Sequence, residues 1–360
     1  MTRHYLDHAS TSPARPEVVE AMLPWLTGMQ AADPGRVHTE GRMARVAIED
    51  ARERVAALLG ARPREVVFTS GATEAINAVV FGAGGPVACA AVEHSAVRDA
   101  SARHEVHEWP VDGHGRILPG EIPAGTRLVH CQWGNHEVGT LQPVVEVVAR
   151  CRHAGVLVHV DAAAAAGHCP IAFDDLGADL MSVSAHKFGG PKGAGALLVR
   201  RGLRIDPMLV GGDQERARRA GLENVPAIIG FGAAASAVDV AGEAAAARAL
   251  TARALDGALA VDGVRAFGDV DDRLPHLVCM GVEGVEAEAV LLGLDQAGLA
   301  AHSGSACSSE SLEPSPVLEA MGVDAERSLR ISVGWSTTEA DVDTFVATLP
   351  DVVARLRALR

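Results

Sequence analysis

The chain has 360 residues, 48% of them hydrophobic and 22% charged, with a formal net charge of −14. It is too apolar to be disordered and long enough for one large domain or two ordinary ones. The acidic balance argues against nonspecific nucleic-acid binding, no stretch approaches the roughly 20 apolar residues of a membrane span, and Met1 to Asp7 lacks the apolar core of a signal peptide, so a cytoplasmic chain is expected.

The residues up to Pro13 read as an extended segment with turn formers. From Arg42 to Leu59, Arg and Glu alternate with Ala, Val and Leu at helical spacing, which predicts an amphipathic helix. Glu65 to Thr69 predicts a strand that runs through Ser70-Gly71-Ala72-Thr73-Glu74 into a helix reaching Val80. The same strand, turn, helix order recurs. Short apolar strands are predicted at Pro86 to Val92, Arg127 to Trp133, Val156 to Val160, Leu180 to Val183 and Gly195 to Val199. Such strands, alternating with helices, predict an α/β fold with a mainly parallel sheet covered on both faces. Ligands in sheets of this kind sit beyond the carboxyl ends of the strands.

An Ala-rich helical stretch is predicted from Val225 to Leu259 as a bridge between two domains. Strands at Leu277 to Gly281 and Leu329 to Val333, with helices near 286–297 and 339–357, predict a smaller C-terminal α/β domain. The expected division is a large domain over 14–240 and a small one built from 1–13 and 241–360. No internal repeat is visible.

None of the six cysteines forms a CxxC pair, so neither a zinc ribbon nor a dithiol site is expected, and no metal. Five sit in structured-looking segments, whereas Cys307 lies in the small, polar stretch Ser303-Gly304-Ser305-Ala306-Cys307-Ser308-Ser309. It is either a nucleophile or a bystander thiol. Lysine is rarer still: Lys187 and Lys192 are the only two. Lys187 follows an apolar strand in Ser184-Ala185-His186-Lys187, where a crowded amine can form a Schiff base, although a surface lysine fits the same position. Asp161 ends a strand, as a helix cap or as a partner for a protonated pyridine nitrogen. The turn at Gly71 is an ordinary cap or a phosphate cradle. His94 follows a strand, where an imidazole can stack on a ring or move a proton. Arg330 precedes a short strand and could clamp a carboxylate or make a surface ion pair.

Each of these signals is weak alone, but their order is specific. Tyr5-Leu6-Asp7, Ser70-Gly71-Ala72-Thr73-Glu74, Glu93-His94, Asn135-His136-Glu137-Val138-Gly139, His159-Val160-Asp161, Ser184-Ala185-His186-Lys187, Gly211-Gly212-Asp213-Gln214-Glu215-Arg216, Ser303-Gly304-Ser305-Ala306-Cys307, Leu312-Glu313-Pro314-Ser315 and Leu329-Arg330-Ile331-Ser332 follow one another along the chain. This series resembles the cysteine desulfurases, pyridoxal phosphate (PLP) enzymes of the class V aminotransferase group with the fold-type I architecture. The Cys307 loop is similar to that of the NifS/IscS-like branch.

The resemblance implies a role for each residue. Lys187 would be the Schiff-base lysine, Asp161 the partner of the pyridinium nitrogen and His94 the residue stacked on the ring. Thr73, Ser184 and His186 would hold the phosphate with the Ala72 N–H nearby, and His136 would face the ring oxygen. Arg330, with Asn135, would bind the substrate. Cys307 would take the sulfur of L-cysteine as a persulfide, release L-alanine and hand the sulfur to an acceptor protein. The same resemblance implies a homodimer with its sites at the subunit interface. Four positions depart from the family pattern. His136 replaces an Asn, Ala164 a Gln, Leu222 a Thr that reaches the phosphate across the dimer, and Ala185 a Gly. Two other readings stand beside this one: a related C–S or C–Se lyase of the selenocysteine lyase kind, and a non-catalytic sulfur-relay scaffold.

Overall fold

Short apolar strands, most of them buried along their whole length, set the frame of the molecule. The computed structural model describes residues 3–27, 32–303 and 314–359. The chain begins with β1 (His4–Tyr5), α1 (Pro16–Leu26) and α2 (Thr39–Leu58). It continues through β2 (Val66–Thr69), α3 (Ala72–Ala83), β3 (Val87–Ala90), α4 (Ser95–Ser101), β4 (Val106–Trp109) and β5 (Leu128–Gln132). Next come α5 (Val144–Ala154), β6 (Leu157–Asp161), α6 (Phe173–Leu176), β7 (Leu180–Ser184), β8 (Gly195–Val199) and the single turn α7 (Gln214–Ala217). The remainder is α8 (Val225–Ala237), α9 (Val240–Leu259), β9 (Val264–Phe267), β10 (Leu277–Val282), α10 (Ala287–Gln296), β11 (Leu299–Ala300), α11 (Pro316–Ala320), β12 (Ser328–Ser332) and α12 (Glu339–Arg357).

Seven strands form one sheet in the order β2-β8-β7-β6-β5-β3-β4. Its pairs are parallel except those of β8, which runs antiparallel to both β2 and β7. β5, β7 and β8 are buried throughout, because helices cover both faces and a near-continuous apolar run is the only sequence that suits such a strand. A second, antiparallel sheet has the order β12-β10-β9, and β1 pairs with β11. One apolar cluster follows the large sheet and takes in Leu274, Leu277 and Val317. Another surrounds the small sheet and includes Leu6 from the N-terminal segment. No single helix among the described residues is long and apolar enough to cross a membrane.

Two features differ from the sequence reading. The stretch from Val225 to Leu259 is two helices bent by 77°, not one. Val238 is extended at the break, and the Asp239 carboxylate then caps the second helix by accepting the Gly242 N–H at 3.1 Å. The strands β4 and β9 were not foreseen. Both lie at sheet edges, half exposed, and so lack the apolar run that marks an inner strand.

Candidate active site

The parallel strands bring their carboxyl ends to one edge of the large sheet, and the polar residues singled out in the sequence follow those ends. β7 leads into a tight turn over Ala185–Phe188 that carries Lys187. Lys187 Nζ donates to the carbonyl oxygens of Ala9 (2.6 Å) and Ser10 (3.2 Å), so the N-terminal segment closes over it. Ala185 fits where a smaller residue was expected because Gly190 faces it. A Cβ at Gly190 would come within 2.8 Å of the Ala185 Cβ.

β6 lies beside β7 and ends at Asp161, which is buried. Its Oδ1 accepts both the Ser182 hydroxyl at 2.8 Å and the Ala163 N–H at 3.0 Å, which orients the carboxylate. Ser182 escaped the sequence reading. It occupies a register position opposite Asp161 on β7, and only strand pairing makes that visible.

α3 points its N-terminus at the same edge. The Ala72 N–H donates to Ser184 Oγ at 3.2 Å, and the N–H groups of the first turn that follow have no acceptor inside the helix. Gly195 on β8 allows this approach, since a Cβ there would lie 2.6 Å from the Gly71 Cα. A cleft beside this terminus is lined by Thr69, Ser70, Arg219, Leu222 and Asn224. His186 Nδ1 sits 3.2 Å from Thr11 Oγ1. Burial, then the Lys187 and Lys192 charges, pulls its pKa down to about 4, so the ring is neutral at neutral pH.

His94 caps α4 through its Nδ1, which accepts the Ala96 N–H at 3.0 Å. Its ring lies 5.0 Å from that of His136, tilted by 57°. Next to it, Glu93 is wholly buried. Its Oε1 accepts the Gln132 N–H at 2.8 Å, while Oε2 has no partner. Burial pushes the carboxyl up to about 8, and the Asp161 charge adds to the shift. In the sequence nothing but its place before His94 marks Glu93.

Arg330 on β12 is buried and already engaged. Nη1 donates to the His136 carbonyl at 2.8 Å, and Nη2 to Asp7 Oδ1 at 3.0 Å and Ser10 Oγ at 2.7 Å, while Nε has no partner. Asn135, expected to contact substrate, sits in the turn before His136. It is fully buried, its Nδ2 donates to the Val92 carbonyl, and its Oδ1 accepts the N–H groups of Glu137 and Val138. These bonds shape the turn that presents His136.

Cys307 lies outside the described residues. The other cysteines are poor nucleophiles. Burial pushes Cys89, Cys151 and Cys279 up to about 12 and Cys169 up to about 11, and raises Cys131 well above the usual thiol value. Among the described residues no cluster of side chains could hold a metal ion.

These donors suit pyridoxal phosphate: a lysine amine, a carboxylate held by two donors, and a helix N-terminus for a phosphate. The comparisons agree. The model of the class-V aminotransferases matches residues 4–345. A cysteine desulfurase of Trichormus azollae is 41% identical over 99% of this chain and 94% of its own length. The cysteine desulfurase IscS of Methanosarcina thermophila is 39% identical over 98% of this chain and 92% of its own. A solved NifS-like protein superposes with a TM-score of 0.92 at 30% identity, over 99% of this chain and 100% of that one. SspA, solved in complex with cysteine, superposes at 0.83 with 29% identity, over 93% of this chain and 100% of its own. The chain therefore belongs to the class-V aminotransferase family, among the PLP-dependent cysteine desulfurases, with the fold-type I architecture.

Proposed function

We propose that this chain converts L-cysteine to L-alanine and carries the released sulfur as a persulfide on Cys307. The observation that carries this reading is the convergence of Lys187 and the Ser182-held Asp161, at the edge of the large sheet, with Arg330 of the small sheet, which shares Ser10 with Lys187, and with His94, whose ring lies beside His136, in a chain so similar to named desulfurases. Pyridoxal phosphate, when bound, supplies an electron sink for the substrate Cα. Lys187 would bond to it, Asp161 would hold the proton on its ring nitrogen, and His94 would stack on the ring. Ser184, Thr73 and the Ala72 N–H would hold the phosphate, with His186 as a neutral donor.

Each residue then has one task. Arg330 pairs with the substrate carboxylate and orients Cα. The Lys187 amine, free once substrate has taken its place, would remove the Cα proton. The Cys307 thiolate attacks the substrate sulfur, an S–S bond forms, and the C–S bond breaks with its electron pair going to carbon. Protonation of that carbon and return of a proton to Cα from Lys187 give alanine and leave Cys307–S–SH, so cysteine plus thiol balances alanine plus persulfide.

The division into a domain over 14–240 and one over 1–13 and 241–360 is part of this reading, supported by the seven-stranded sheet built from β2 to β8 and the separate three-stranded sheet of β9, β10 and β12. So is a cytoplasmic homodimer that serves a sulfur-acceptor protein, for instance in iron–sulfur assembly. Val19, Leu23 and Leu26 on α1, with Met43 and Val46 on α2, are exposed apolar side chains that a second copy would cover.

The test mixes purified protein with PLP, L-cysteine and a reductant, and follows cofactor absorbance, alanine and sulfide. Turnover that is lost in both Lys187→Ala and Cys307→Ala is the expected result. Sulfur release that survives in Cys307→Ala favours a C–S or C–Se lyase. A wild-type protein that binds no cofactor favours a relay scaffold, with Ala164 and Leu222 as the first suspects.

A further inference from the structure

Two buried histidines meet beside Lys187, and neither belongs to the site described above. His168 follows β6, and its Nε2 lies 3.1 Å from the Lys187 carbonyl oxygen. A carbonyl only accepts, so Nε2 carries the proton. The His168 ring stacks on His276, with centroids 3.7 Å apart and planes inclined by 16°. His276 is buried as well, and its Nδ1 has no partner, so no hydrogen bond at that atom fixes the ring. Burial keeps both rings neutral: His168 is pulled down to about 4 and His276 well below its usual value.

The carbonyls of the lysine turn can be accounted for one by one. Ala185 accepts the Gly190 N–H at 2.9 Å, His186 accepts the Ser12 N–H at 2.9 Å, and Phe188 accepts Arg15 Nε at 3.0 Å. The Lys187 carbonyl accepts His168. At its other end the stack rests on the small sheet. His276 immediately precedes β10, and its carbonyl accepts the Val333 N–H at 2.9 Å, just past the strand that holds Arg330.

We propose that the His168–His276 stack is a positioning device that fixes the Lys187 backbone against the strand pair carrying Arg330. His168 holds the carbonyl and His276 holds His168. The amine and the carboxylate-binding arginine, which come from different sheets, are thereby kept in one geometry. The catalytic half of this proposal rests on the desulfurase reading, but the structural half does not.

The test compares His168→Ala, His168→Gln, His276→Ala, His276→Phe and the double Ala variant. In cofactor-free protein, amide hydrogen exchange over 185–190 quickens about tenfold in His168→Ala and stays near wild type in His168→Gln, whose amide can donate in place of Nε2. His276→Ala quickens it less, and His276→Phe, which keeps a flat ring, does not. In turnover of L-cysteine by the loaded enzyme, His168→Ala lowers kcat roughly tenfold with little change in KM. The double variant is no worse than His168→Ala alone, because His276 acts through His168.

Unchanged exchange in His168→Ala, a Gln variant no better than Ala, or additive losses in the double variant would each overturn the proposal. Should His168→Ala fail to fold, the contrast between His276→Phe and His276→Ala carries the same decision. A wild-type protein inactive on L-cysteine sinks the desulfurase reading, while the exchange data still decide the stack.

Discussion

Arg330 Nη2 stands 3.0 Å from Asp7 Oδ1, although the two residues are 323 positions apart in the chain. The pair closes the N-terminal segment onto the small sheet, next to the carbonyls that hold Lys187. On the role proposed for Arg330, a substrate carboxylate would share the guanidinium with an acid already there. Asp7→Asn keeps a polar partner but removes the competing charge. The expected outcome is a lower KM for L-cysteine together with a lower Tm, since Arg330 is buried and loses its counter-charge. Arg330→Ala should raise KM by about tenfold to hundredfold, the worth of a lost charge-assisted bond. Steady-state kinetics and thermal melts check both.

The Ser182 hydroxyl orients Asp161 at 2.8 Å. Ser182→Ala leaves that carboxylate with the Ala163 N–H alone. Turnover should fall about tenfold, in line with one hydrogen bond to a charged group. Asp161→Asn should fall further, because the amide cannot stabilise a protonated ring nitrogen as a carboxylate does. Cofactor titration by absorbance separates weaker binding from slower chemistry.

Stability should depend on pH with opposite signs at two kinds of site. His8 and His168 are pulled down by burial to about 4 and His130 to about 3, from an ordinary value of 6.5. Depressed histidines contribute stability that is complete above 6.5 and is lost as pH falls toward 4 and 3, because the unfolded chain takes up protons first. The denaturation midpoint should therefore drop steeply on acidification below 6.5. His130 and His159 are the sharpest case, wholly buried with Nδ1 atoms 2.8 Å apart and both Nε2 atoms unpartnered.

Glu93 works the other way. Its carboxyl is raised from 4.5 to about 8, so the fold favours the protonated form. Its contribution is complete below 4.5 and disappears as pH rises toward 8. Glu93→Gln, which stays neutral, should be more stable than wild type at pH 8 and no more stable at pH 5. Thermal melts at the two values decide this.

Glu215, Arg216 and Ala217 all have positive φ, at 49°, 60° and 60°. The run is pinned by a buried, two-point ion pair in which Arg52 Nη1 and Nη2 donate to Glu215 at 2.7 and 2.8 Å. Ala217→Gly should stabilise the protein by about 1 kcal/mol by relieving left-handed strain. Arg52→Ala should destabilise it by about 3–5 kcal/mol, since it strands a buried carboxylate. Urea denaturation measures both.

Much of this protein was legible in its residues. The alternation of apolar strands with helices followed from local periodicity, and Lys187 stood out because lysine is so scarce. Asp161 and His94 drew notice because the end of a strand is where a parallel sheet presents ligand-binding groups, while the roles proposed for them and for Ser184 rest on the resemblance of the whole motif series. What failed locally did so for local reasons. The edge strands β4 and β9 carry no continuous apolar run, and the break at Val238 depends on one capping carboxylate inside an Ala-rich stretch that otherwise continues.

The remaining decisions belong to the tertiary structure. Ser182 against Asp161, Asp7 against Arg330 and His168 against His276 join residues from separate segments, and no spacing rule along the chain reaches across them. Asn135 and Glu93 look in sequence like any other polar residue, and only burial made one a builder of its turn and the other a raised acid. Local preferences fixed most of the elements and the types of side chain available, because helix, strand and turn propensities act over a few residues. Which side chains meet, and which are cut off from water, was decided by packing, because desolvation and hydrogen bonding depend on neighbours that only the folded chain supplies.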